Sequence, residues 1–146
     1  MKKLSDKKEK SAVKKTIIER VKTFEDACRE ANVSPESLFN ENDTLDERAY
    51  KKLKLIIRVI NDGWNPNWGN GAERKWYPWF YVAADAARPG GFGFSDSGCV
   101  SWHTHTICGS RLCLQTKEKA NYVGKQFEDI YNEFLITGNS AGTTGD

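Results

Sequence analysis

The chain has 146 residues, 38% of them apolar and 29% charged, which suits one domain with its own core. That composition excludes collagen-like, coiled-coil and wholly disordered chains, and no apolar run is long enough for a helix that crosses a bilayer. The formal charge of +2 conceals a division, because residues 1–22 carry nine Lys or Arg against three acids, whereas residues 23–146 carry thirteen against seventeen.

The Lys-rich start lacks the apolar stretch of a secretory leader, so none is expected. Residues 1–21 are expected to form a basic, partly helical arm. Such an arm either meets a polyanion, releasing condensed counterions, or is a frayed solubilising terminus. With no leader expected, the four cysteines (Cys28, Cys99, Cys108, Cys113) read as reduced thiols rather than a disulfide framework.

Val13, Ile17, Val21, Phe24 and Cys28 recur at steps of three or four, which predicts one amphipathic helix over 13–31. Asn32-Val33-Ser34-Pro35 ends it, and Pro35 suits the first turn of the next element. Thr44-Leu45-Asp46-Glu47 has the form of a capping box. Leu45, Ala49, Leu53, Ile56, Ile57 and Ile60 continue it as a helix that Gly63 closes.

Beyond Gly63 the composition changes. Ten of the 17 aromatic residues, including all five tryptophans, lie between Trp64 and Trp102. Residues 64–71 read as a loop. Lys75–Ala83 reads as a strand confined to an edge, or bulged, by Pro78. Pro89-Gly90-Gly91 is a turn. Phe92-Gly93-Phe94 is a short strand with both rings on one face, and Cys99–Cys108 is a long one. Gly109-Ser110 is a hairpin turn and Arg111–Gln115 the return. Thr116 caps a last helix with the stripe Ala120, Val123, Phe127, Ile130 and Phe134. Gly138 stops it, and residues 138–146 are expected to be disordered. The fold class is α+β over 22–137: N-terminal helices, a three- or four-stranded antiparallel meander, and a C-terminal helix packed on the sheet.

Zinc uses the ligand types gathered at Cys99, His103, His105, Cys108 and Cys113. Strand alternation puts Cys99, His103 and His105 on one face and the other two cysteines on the opposite face. A three-ligand site survives that test but lacks a nearby carboxylate. The preferred reading is two exposed histidines backed by buried thiols, with no metal and no cofactor. No nucleophile–base–acid arrangement, phosphate loop or carboxylate pair stands out, and Glu128-Asp129 read as solvated charge, so an enzyme is not expected.

The aromatic belt is the stronger lead. Trp76, Tyr77, Trp79, Phe80 and Tyr81 put rings on both faces of one strand. One face can be core, and the other needs a helix, a partner or a stacked ligand. Trp64 and Trp68 either join such a surface or fold over it as a lid.

Six blocks in order carry a resemblance: Thr23–Cys28, Asn61–Trp68, Tyr77–Phe80, Gly91–Phe94, Gly109–Cys113 and Gly124–Phe127. Over about residues 22–136 the chain resembles a group of small uncharacterised proteins carried by phages and prophages of gut Bacteroidales. The resemblance implies a phage or mobile-element origin, a setting in the bacterial host cytoplasm or the virion, and no known activity. The histidines stand outside its pattern.

Belt, arm and resemblance together point to a non-enzymatic accessory protein that binds single-stranded nucleic acid. Trp64, Trp68, Trp76, Tyr77, Trp79 and Trp102 would stack bases, and Arg74, Lys75 and Arg111 would engage phosphates. The alternative is a virion-assembly or protein-interaction module, or a host-directed inhibitor, that uses the same aromatic patch. No membrane partner is expected.

Overall fold

Local signals in the sequence set the helix ends. The computed structural model describes residues 13–83, 91–100 and 110–136. The expected helix over 13–31 is two helices, α1 (Ile17–Arg20) and α2 (Phe24–Ala31). The break is a capping box. Asp26 N–H donates to Thr23 Oγ1 at 3.1 Å, and Asp26 Oδ2 accepts from Thr23 N–H at 3.0 Å and Lys22 N–H at 2.9 Å. These bonds, foremost the one from Lys22, hold the Asp26 carboxyl below its ordinary range. The carbonyls freed by the break are satisfied from a distance: the Tyr122 hydroxyl donates to Val21 O, and Gln126 Nε2 donates to Lys22 O. The expected apolar stripe nevertheless holds at Val21, Phe24 and Cys28, all buried, while Val13 is exposed.

Asn32, in the left-handed region at φ 53°, ends α2, and Pro35 opens a 3₁₀ turn over Pro35–Leu38. The long helix α3 (Leu45–Ile60) starts at the expected box, with Thr44 N–H donating to Glu47 Oε2 at 2.7 Å. It ends through positive φ at both Asp62 (49°) and Gly63 (87°). Five of the six expected core residues are buried. Leu45 alone is exposed, at the first position of the helix. The α1 and α2 helices both contact α3.

Strands β1 (Lys75–Tyr81) and β2 (Gly93–Val100) pair antiparallel, from Lys75↔Val100 to Tyr81↔Gly93. Trp79 pairs with Asp96 and Phe80 with Phe94, so Ser95 is the extra residue of a bulge. The short strand expected at 92–94 thus runs on to Val100 in one continuous β2, which takes in the first residues of the long strand expected over 99–108, and residues 101–108 lie outside the described residues. Phe92 and Phe94 do share a partner: both pack on Phe80, with centroids at 5.2 and 6.1 Å.

Among the described residues the sheet has two strands rather than three or four. The return segment forms a 3₁₀ turn, Ser110–Leu112, and a single bridge in which Trp76 and Leu114 exchange backbone hydrogen bonds at 3.0 and 2.8 Å. Proline explains the arrest. Alternate residues of β1 point to this edge, so after Trp76 the next is Pro78, which has no N–H with which to extend the ladder.

The last expected helix is also two, α4 (Lys117–Gln126) and α5 (Glu128–Leu135), joined at Phe127 (φ −115°, ψ 29°). Thr116 caps α4 through Lys119 N–H at 3.2 Å. Ala120, Val123, Phe127 and Ile130 are buried as expected, and Phe134 stacks on Tyr50 at 5.5 Å, where α5 packs on α3. Glu128, expected to be solvated, is half-buried and accepts Phe94 N–H at 2.7 Å. Gly124 is where helix and hairpin touch. A Cβ there would come within 2.4 Å of the Phe94 ring and 2.8 Å of Pro78 Cβ, closer than any side chain allows. Residues 1–12 of the arm expected over 1–21, the turn at Pro89-Gly90, Gly109, the stop at Gly138 and the tail from 138 lie outside the described residues. No helix among the described residues is long and apolar enough to cross a membrane.

Candidate functional site

On α3, Lys54, Ile57, Arg58 and Asn61 recur at i, i+3, i+4 and i+7, which places them on one helix face. That face forms one wall of a cleft of about 510 Å³. Trp64, Asn65, Pro66 and Trp68 from the loop after α3 form the second wall, and Arg111 and Cys113 complete it.

The loop is built before any ligand arrives. Asn67 Oδ1 accepts Gly69 N–H at 2.9 Å and Asn70 Oδ1 accepts Ala72 N–H at 3.0 Å, two side-chain turns that set its course. Lys75, at the start of β1, turns inward and is 3% exposed. Its ammonium donates to the carbonyls of Asn67, Asn70 and Glu73 at 2.8, 3.0 and 3.0 Å. It also lies 3.3 Å from Glu73 Oε1 and 5.3 Å from the Trp68 ring centroid. Glu73 in turn accepts Asn67 N–H at 2.7 Å and the Trp64 side chain. Those bonds, led by the one from Asn67, hold its carboxyl below the usual 4.5. Both cleft tryptophans are therefore oriented by one buried cation and its carboxylate.

The opposite wall is anchored by Asn61, itself buried. Its Nδ2 donates to Cys113 O at 3.0 Å and its Oδ1 accepts Gln115 N–H at 3.1 Å. Leu112, Cys113 and Leu114 are buried, which fixes the backbone from which the exposed Arg111 side chain rises. Burial pushes the Cys113 thiol up to about 11, with a hydrogen bond to Tyr77 opposing the shift. The thiol stays protonated at neutral pH and is a poor nucleophile.

Charge is the distinctive property of the cleft. Lys54, Arg58 and Arg111 line it and no carboxylate does. Among the described residues none of the three is in an ion pair. Three cations on one concave surface raise the local concentration of anions, and indole walls supply stacking area for a planar group.

Of the residues singled out from sequence, Trp64, Trp68 and Arg111 come together here. Lys75 and Tyr77 do not. Both are buried, Lys75 because its N–H groups donate to the loop carbonyls and Tyr77 because it packs against Cys113, so neither presents a surface for phosphate or base. Trp76 is half-buried against the core. Arg74 is exposed elsewhere, with Nη1 3.9 Å from Cys99 Sγ. Trp79 is 63% exposed but lies over Gly98, where a Cβ would meet its Nε1 at 2.5 Å. Trp102, His103 and His105 fall outside the described residues. Cys99 is exposed, and among the described residues no cluster of three or more His, Cys, Asp or Glu could hold a metal ion. Lys54 and Arg58 were missed by sequence reasoning. The signal was present: Lys51 to Ile60 holds four cations and no acid.

Compared with family models, curated proteins and solved structures, the chain matches none.

Proposed function

We propose that the protein is a non-enzymatic accessory protein of a phage or mobile element that binds single-stranded nucleic acid through this cleft. An unpaired base stacks on Trp64 or Trp68, and Lys54, Arg58 and Arg111 hold the flanking phosphates. The observation that carries the reading is the convergence of three cations without carboxylate partners on a cleft walled by two indoles. A paired base in a duplex keeps its faces stacked on its neighbours, so a recessed aromatic wall favours a strand whose bases are exposed.

Trp79 and Tyr81 at the far end of β1 and Val82 just beyond it, all exposed, support the alternative of a protein-interaction or virion-assembly module. Oligo-dT and a duplex of equal length separate the two readings. Under the nucleic-acid reading, oligo-dT quenches tryptophan emission at low salt and the duplex does so weakly. Three phosphate contacts give a slope of log K against log salt of about −2. Unchanged emission at saturating oligo-dT would turn the reading to the protein partner.

A further inference from the structure

Helix α3 carries a second depression beside the first. Lys51, Lys54, Leu55 and Arg58 follow the same i, i+3, i+4, i+7 spacing as the cleft residues but start three residues earlier. They line a hollow of about 200 Å³ together with Leu38 of the first 3₁₀ turn. At 3.6 residues per turn, a three-residue offset rotates this face by about 60° from the first. The two hollows are therefore neighbours around the helix, and Lys54 and Arg58 belong to both.

We infer that these two hollows form one continuous track for a single strand. Resting on the single-strand reading above, this inference gives the site its length and direction. A base enters the tryptophan cleft, the backbone crosses the shared Lys54–Arg58 ridge, and the next nucleotide lies against Leu38 and Leu55. The chemistry differs on the two sides of the ridge in the way such a track needs. The cleft has indole walls, whereas the second hollow has an aliphatic floor edged by Lys51, whose ammonium contacts Asp43 Oδ2 at 2.6 Å and retains two further N–H donors. The ligand class is accordingly an oligonucleotide of at least two residues, not a lone nucleotide.

Chain length tests this directly. Binding of thymidine monophosphate, dT2, dT4 and dT8 is measured by tryptophan quenching on the wild type and on Lys51→Gln and Leu38→Asn, with far-UV circular dichroism confirming the fold. The track predicts affinity at least tenfold higher for dT4 than for the monophosphate. Both variants should remove part of that gain and leave the monophosphate unchanged. If the monophosphate binds as tightly as dT8 and both variants behave as wild type at every length, the track is wrong while the cleft stands as a nucleotide site. If no length quenches, the single-strand reading fails and the track fails with it.

Discussion

Lys75→Met is expected to destabilise the protein by about 2–3 kcal/mol, measured by urea unfolding, although the substitution keeps the length and apolar stem of the side chain. The ammonium is the hub of the loop between α3 and β1. Its removal orphans three carbonyls, at Asn67, Asn70 and Glu73, and leaves the Glu73 carboxylate without its cation. The carbonyls lie in a surface loop and can recover water, which keeps the loss below that of a fully buried charge. The same change should loosen the indoles. Near-UV circular dichroism from the tryptophans is expected to weaken even where the protein is still folded, since Trp68 loses the cation over its ring and the Glu73 carboxylate that accepts the Trp64 side chain loses the cation that holds it. A variant as stable as wild type would mean that the side-chain turns at Asn67 and Asn70 alone hold the loop.

Arg58→Glu combined with Arg111→Glu is expected to lower oligo-dT affinity about a hundredfold, roughly tenfold for each charge-assisted hydrogen bond to phosphate that is removed. Both side chains are exposed, and among the described residues neither is in an ion pair, so stability should change little. Arg74→Glu is the control. Arg74 is exposed and equally cationic but does not line the cleft, so its reversal should leave affinity within about twofold. Equal reductions in the double variant and in Arg74→Glu would mean that net charge, rather than the cleft, governs binding.

Much of the helical half is legible in the sequence because its signals are local. Thr44 and Glu47 announce the start of α3, and the apolar spacing from Ala49 to Ile60 announces its buried face. The same kind of signal at Thr23 and Asp26 is masked by an apolar stripe that runs unbroken through Val21 and Phe24. The period suggests one helix. The break becomes favourable when Tyr122 and Gln126, about a hundred residues later, supply donors for the exposed carbonyls. Pro78 is similar: its missing N–H is plain from sequence, but which edge of β1 it blocks depends on where Leu114 arrives.

The site is less legible for the same physical reason. Trp64, Trp68 and Arg111 are conspicuous one by one, as residue types suited to stacking and to phosphate. Lys54 and Arg58 resemble the solvated face of any amphipathic helix. They become part of a cleft because Asn61 ties the end of α3 to Cys113 and Gln115. Lys75 shows the converse. A lysine heading a strand reads as a surface charge, and its burial results from the loop closing its own carbonyls around the ammonium.

Photocrosslinking places the bound base most directly. An oligo-dT carrying one 5-iodouracil, irradiated in complex with the protein at low salt and mapped by mass spectrometry of the digest, reports which aromatic ring the base touches. The expected adduct is on Trp64 or Trp68, and it should disappear in the Arg58→Glu/Arg111→Glu variant. An adduct on Trp79 or Tyr81 instead would place the nucleic acid on the exposed end of the hairpin and contradict the cleft as the binding site.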